Sequence, residues 1–152
     1  MADQTRRIAV GSDERTWLTD SVVDSLRKRG FDPELHGALA DEDARWPVVA
    51  RRVAQQVADG TCAQGLLFCW TGTGVAMAAN KVAGIRAALC CDAETARGAR
   101  RWNDANILCI SLRQTSPAIA QEMLDAWLTA SPDESELPNI DLVKAMDRAA
   151  RV

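Results

Sequence analysis

Short apolar runs alternate with amphipathic stretches along the whole chain, and few architectures accept that pattern: it belongs to a parallel sheet whose crossovers are helices. The runs expected to form strands are Arg7 to Gly11, Glu34 to Gly37, Gly65 to Cys69, Ile85 to Cys90 and Ile107 to Ser111. Glu34 to Gly37 is the least apolar of them. The unbroken apolar character of the third and fifth suits strands covered on both faces.

Between these runs lie helical periodicities. Leu18, Val22 and Leu26 recur every fourth residue, and Trp46, Val49, Ala50, Val53 and Val57 mark one face of a second helix, with Gly30 and Gly60 as their stops. A further helix leads into Trp102. Ser116 followed by Pro117 reads as an N-cap and first helical residue ahead of Ile119, Met123 and Trp127. Asn139 is the expected cap of a last helix, about 139–150, carrying Leu142 and Met146, with Arg148 and Arg151 at its C-terminal end. Ser131 to Glu136 is an acidic connector too short to separate domains. The expectation is one α/β domain, a three-layer, doubly wound, Rossmann-like five-stranded parallel sheet over residues 1–152.

A chain of 152 residues hides enough surface on folding, roughly 68–70% of what it exposes unfolded, to need no staple. With 18 Lys and Arg against 21 Asp and Glu it has no basic footprint for nucleic acid or anionic lipid. Its five cysteines, Cys62, Cys69, Cys90, Cys91 and Cys109, include no C-x-x-C, which argues against both a disulfide framework and a zinc site and for a reducing cytoplasm. Cys90, Cys91 and Cys109 follow strand-like residues and are expected in the core. The first residues carry no apolar signal core, and no run approaches the ~18 apolar residues of a membrane span. A cytoplasmic protein, with neither nucleic acid nor membrane as partner, is expected.

Ligands of open parallel sheets bind beyond the carboxyl ends of the strands, so the residues there carry the functional signal. After the first strand comes Gly11-Ser12-Asp13-Glu14, and before the fifth comes Trp102-Asn103-Asp104-Ala105-Asn106. After the third comes Cys69-Trp70-Thr71-Gly72-Thr73-Gly74, which enters the helical Val75-Ala76-Met77-Ala78-Ala79. Backbone N–H groups of such a turn can converge on an anion. The turn lacks the Gly-Lys-Ser/Thr of a phosphate loop and has Met77 where a dinucleotide fingerprint needs glycine, which disfavours ATP and NAD. Cys69, at the turn's entrance, is the candidate base or nucleophile, its thiol expected to ionise more easily beside the helix terminus. Standing against these readings, a cysteine after a strand is often a small buried hydrophobe, and an aspartate there often only caps the next helix.

These motifs resemble the ribose-5-phosphate isomerase B and galactose-6-phosphate isomerase family. The matching stretches are Gly11-Ser12-Asp13, Cys69 to Gly74, Ala78-Ala79-Asn80-Lys81, Gly84-Ile85-Arg86-Ala87, Asn103 to Asn106 and Asp125-Ala126-Trp127-Leu128, spanning about residues 7 to 130. The resemblance implies aldose–ketose interconversion through a cis-enediolate, with no cofactor or metal. It also implies a homodimer or homotetramer with shared active sites and a C-terminal helix on a neighbouring subunit. It gives Cys69 the proton transfer between C1 and C2, and Thr71 with the amides of Gly72, Thr73 and Gly74 the stabilisation of the enediolate. Asp13 and Asn103 would hold substrate hydroxyls, and Arg113 matches a family arginine.

The departures cluster where the family meets its substrate. Glu14 replaces a histidine, Trp70 a glycine and Trp102 the histidine that opens the sugar ring; Arg45-Trp46 stands for Asp-Tyr ahead of Pro47. The family's C-terminal arginine clamp on phosphate has no counterpart in Glu136 to Asp141. A carboxylate at Glu14 repels a dianion, and each lost charge-assisted bond is worth about 1.5–3 kcal/mol. Ribose 5-phosphate is therefore an unexpected substrate, and a short, already acyclic sugar or sugar phosphate fits better. Trp46, Trp70 and Trp102 are expected to wall the pocket or to pack across a subunit contact. His36, away from every motif, is expected to be structural. The competing expectation is a non-catalytic or regulatory sugar-binding paralogue that has lost the clamp and the ring-opening histidine; a flavodoxin-like nucleotide binder is a third.

Overall fold

The computed structural model describes residues 3–149. The strands are β1 (Arg7–Ser12), β2 (Asp32–Gly37), β3 (Gln64–Cys69), β4 (Ala87–Leu89) and β5 (Ile107–Ser111), all paired parallel in the order β2-β1-β3-β5-β4. The helices are α1 (Trp17–Lys28), α2 (Trp46–Ala58), α3 (Thr73–Ala79), α4 (Ala93–Asn103), α5 (Pro117–Thr129) and α6 (Leu137–Ala149). This is the doubly wound sheet the periodicity predicts.

Period-two alternation divides each inner strand between two cores. Ile8, Val10, Leu66, Phe68, Leu108 and Ile110 face α1, α4 and α5; Ala9, Leu67, Cys69, Ile107 and Cys109 face α2 and α3. Burial of each large side chain in these layers contributes about 1.5–3 kcal/mol. Trp127, fully buried on α5, keeps its polar edge satisfied by donating from Nε1 to Gln64 Oε1 at 2.8 Å, and the Arg100 guanidinium lies 5.5 Å from its ring centre. Ser116 caps α5 as expected, its hydroxyl accepting from the Ile119 N–H at 3.2 Å.

Several expectations need correction. The second strand begins earlier, at Asp32, and tolerates Pro33 because it is an edge strand with one unpaired side. The fourth strand is shorter than Ile85 to Cys90, since Arg86 N–H already donates to the Asn106 side chain at 2.8 Å. Asn139 is not a cap: the 3-10 turn Glu134–Glu136 runs straight into α6 at Leu137, and Asn139 lies within the helix, its side chain donating to Glu136. Residue 150 of the predicted last helix, and Arg151, lie outside the described residues. Cys91 is exposed, because the chain has left β4 and is entering the Asp92 N-cap of α4, while Cys90 and Cys109 are buried as expected.

The motifs that open and close β4 form a polar clasp at the amino ends of the strands. The Asn80 amide exchanges two hydrogen bonds with the backbone of Ala87, and Asn106 accepts from Arg86 N–H and donates to Gly84 O. Arg86 donates from Nε to Asp104 O at 2.7 Å, and the Asp104 carboxylate lies within 4 Å of Arg86, Arg100 and Lys144 of α6. Asp147 accepts from Gly84 N–H at 2.8 Å, so one side of α6 is fastened by Ile140, Lys144 and Asp147. Its other side leaves Leu142, Val143 and Met146 exposed.

Candidate active site

The inner strands β1 and β3 deliver two side chains to one place. Beyond the last register pair, Ser12 with Phe68, the chains reach Asp13 and Cys69. Ser12 Oγ folds the turn after β1 by accepting from Glu14 N–H at 3.2 Å and donating to Glu14 O. The N-cap of α1 is Thr16, whose hydroxyl accepts from Thr19 N–H in a capping box. Asp13 is thus not occupied in capping, and burial pushes its carboxyl above the ordinary carboxylate range.

Past Cys69 the chain is tied to the neighbouring strand. Cys69 O accepts from Leu112 N–H at 3.0 Å, and Trp70 O accepts from both Ser111 Oγ at 3.0 Å and Arg113 N–H at 3.1 Å. Gly72 then turns in the left-handed region (φ 77°) and starts α3. A side chain there is impossible without movement, because a Cβ would meet Leu89 Cδ1 at 2.4 Å and the Ile110–Ser111 peptide at 3.2 Å. The turn brings the hydroxyls of Thr71 and Thr73 to 2.7 Å from each other. Across it, the Trp46 ring from the first residue of α2 lies on Gly74, its atoms 3.1 to 3.3 Å from where a Cβ would stand.

These residues enclose an open pocket of about 400 Å³ lined by Asp13, Trp46, Cys69, Trp70, Thr71, Thr73, Gly74 and Met77. Cys69 is only 6% exposed, yet it borders this pocket and is not sealed away from the turn. Burial raises the thiol of Cys62 to about 11 and that of Cys90 to about 12, and that of Cys109, fully enclosed, higher still. Among the described residues no group of three or more His, Cys, Asp or Glu is placed to hold a metal ion.

The remaining expected residues fall elsewhere in the single chain. Trp102 and Asn103 line a separate groove with Leu89, Thr95 and Gly98, the Trp102 ring packing on Gly98. Glu14 and Arg113 are exposed and do not line the Cys69 pocket; Arg113 meets it only through its backbone bond to Trp70. Met77, set aside in the sequence as a misplaced glycine, is a pocket wall, and the i+4 spacing from Thr73 on one helix was the available signal. His36 is buried on β2 between Glu34 and Glu42, at 3.7 and 3.6 Å, and does not line the pocket.

A family model described as ribose/galactose isomerase matches residues 8–141. The chain is 33% identical over 148 residues to ribose-5-P isomerase B of Listeria innocua, covering 95% of this chain and 99% of that one. It is 36% identical over 131 residues to D-erythrulose-4-phosphate isomerase of Pectobacterium atrosepticum, covering 81% and 82%. The solved ribose-5-phosphate isomerase B of Clostridium thermocellum superposes with a TM-score of 0.88 at 34% identity, covering 95% of this chain and 99% of that one.

Proposed function

The chain belongs to the ribose/galactose isomerase family, and on that premise we propose that it is an aldose–ketose isomerase of a sugar or sugar phosphate. The reaction runs through a cis-enediolate on a substrate other than ribose 5-phosphate. The observation that carries this reading is that Cys69, Asp13 and the Thr71 to Gly74 turn share one pocket. The Cys69 thiolate takes the proton from C2 of the open-chain aldose and returns it to C1. Thr71 and the backbone N–H groups of the turn face the oxygen on which negative charge develops, and donors fixed in advance there are stronger in the transition state than in the ground state. Asp13 holds a substrate hydroxyl.

The walls of the pocket set the substrate. Trp46, Trp70 and Met77 give it apolar sides suited to a sugar's carbon chain. With Trp102 in place of the ring-opening histidine and no arginine clamp in Glu136 to Asp141, an acyclic four-carbon substrate fits better than a ring-closing pentose. A relative named for erythrulose 4-phosphate supports the four-carbon reading. The assembly is a homodimer or homotetramer. A neighbouring chain's Trp102 and Asn103 then complete the pocket, and the exposed Leu142, Val143 and Met146 of α6 are the apolar surface on which copies meet.

The test is solvent-deuterium incorporation at C2, screened over tetroses to hexoses with and without phosphate. Cys69→Ala is expected to abolish exchange of the preferred substrate while the circular dichroism of the fold is unchanged. Exchange at the native rate in that variant refutes the assignment of the base. Sugar binding with no exchange in the native protein favours a non-catalytic paralogue instead.

A further inference from the structure

Conversion of an aldose to a ketose moves two protons. One passes from C2 to C1, and the isomerase reading gives it to Cys69. The other passes from the hydroxyl on C2 to the oxygen on C1, and a thiol already holding the carbon-derived proton cannot carry it. A group suited to this second transfer both donates and accepts in one step, which a neutral hydroxyl does without becoming charged.

We propose that the hydroxyls of Thr71 and Thr73, 2.7 Å apart, form a relay that carries the proton between the two oxygens of the enediolate. The inference rests on the isomerase reading above and adds Thr73 as a residue that touches the reacting atoms. Three observations support it. Both threonines line the pocket that holds Cys69. Within the described residues neither hydroxyl has a hydrogen-bond partner other than its mate, so one O–H is spent between them and the other is available to a ligand. The Gly72 turn that brings the pair together is held by Leu89 and by the Ile110–Ser111 backbone, so the geometry exists before substrate arrives.

The step balances. As the C2–H bond breaks, an S–H bond forms on Cys69, the freed pair becomes the C1–C2 double bond and the carbonyl pair moves onto O1. O2 then gives its proton to one threonine, that threonine's proton passes along the 2.7 Å bond to the other, and the second threonine's free proton goes to O1. Each O–H bond broken is matched by one formed, and both threonines end neutral with the direction of their hydrogen bond reversed. Finally the S–H proton moves to C1 and the charge on O2 becomes the ketone. No oxidant or reductant is required.

The experiment uses the full-length protein in D2O with erythrose 4-phosphate and, separately, ribose 5-phosphate, and reads two quantities by NMR: deuterium at C2 of recovered aldose, and ketose formed. Thr73→Val keeps the shape of the exposed side chain and deletes the hydroxyl; Thr73→Ser restores it. With the relay broken, the carbon proton still exchanges but the intermediate collapses back to aldose. The expected result for Thr73→Val is about a tenfold or larger fall in kcat, the low end for loss of a proton-transfer group. KM stays within about twofold, and the ratio of exchange to isomerisation rises by about the same tenfold. Thr73→Ser is expected within about threefold of native in both. An unchanged ratio in Thr73→Val, or failure of serine to restore it, overturns the relay and leaves the isomerase reading standing. A native protein that neither exchanges nor isomerises any sugar of the wider screen removes that reading and the relay with it.

Discussion

Gly72→Ala should be among the most damaging single-methyl additions this chain can receive, and Gly60→Ala provides its control. Both glycines are left-handed, with φ of 77° and 80°, so each alanine pays the same conformational penalty of about 1–2 kcal/mol. They differ in what the methyl meets: nothing within 4 Å at Gly60, but Leu89 Cδ1 at 2.4 Å and two backbone atoms at 3.2 Å at Gly72. Leu89 is 39% exposed and its tip can rotate away, whereas the Ile110–Ser111 peptide belongs to the β5 ladder and cannot. Overpacking of this kind adds about 1–2 kcal/mol, which places Gly72→Ala near 3 kcal/mol in total. For a domain of this size that corresponds to a melting temperature lowered by about 6–12 °C, against about 2–8 °C for Gly60→Ala. Urea unfolding of both variants beside the native protein measures the difference directly. Equal losses in the two would show that the contacts around Gly72 do not constrain the turn, and the preformed geometry of Thr71 and Thr73 would lose its support.

Two further outcomes follow from the same coordinates. Asp13→Asn is expected to stabilise the fold at neutral pH: burial raises the carboxyl's pKa in the folded state, so the native side chain contributes fully below its unfolded value of 3.8 and loses that contribution as pH rises through the raised one. Urea midpoints of native and variant should converge as the pH is lowered toward 3.8 and separate above it; a constant gap across the titration contradicts the burial argument. Asp104→Asn removes the one carboxylate among the described residues that faces Arg86, Arg100 and Lys144 together, with an expected loss of about 2–4 kcal/mol because two of those cations are mostly buried. Hydrogen exchange should then report loosened protection in α6, and unaltered protection there would mean that Lys144 does not fasten the helix.

The sheet was legible because buried parallel strands and their crossover helices leave different periods in the sequence, and Ile107 to Ser111 or Val49 to Val57 could hardly be read otherwise. Ends were harder. Asn139 has the chemistry of a cap, but the acidic Glu134–Glu136 turn had already begun coiling, with Pro138 suited to a first turn. Cys91, one residue past the expected strand, shared the apolar run of its neighbours and so was expected in the core with them, although it is exposed.

The pocket was half legible. Asp13 and Cys69 stand at strand ends, where position alone marks them, and the Thr71 to Gly74 turn has a composition with few other uses. What joins Trp46 to that pocket is a packing contact with Gly74 across 28 positions, which no local pattern encodes. The asparagines and arginine around β4 could be matched to the family's motifs but not interpreted, because their partners are backbone groups fixed by the register of β4 on β5. In the folded chain Asn80, Arg86 and Asn106 are fastenings at the end of the sheet opposite the pocket.

The thiol and the carboxylate lie 56 positions apart in the chain, yet they line one pocket because β1 and β3 are laid side by side in the sheet. Neither strand carries both, and no local hairpin can bring them within reach. Maturation of the chain and the appearance of its chemistry are therefore one event: a nascent or proteolysed fragment ending before the third strand has nothing with which to react.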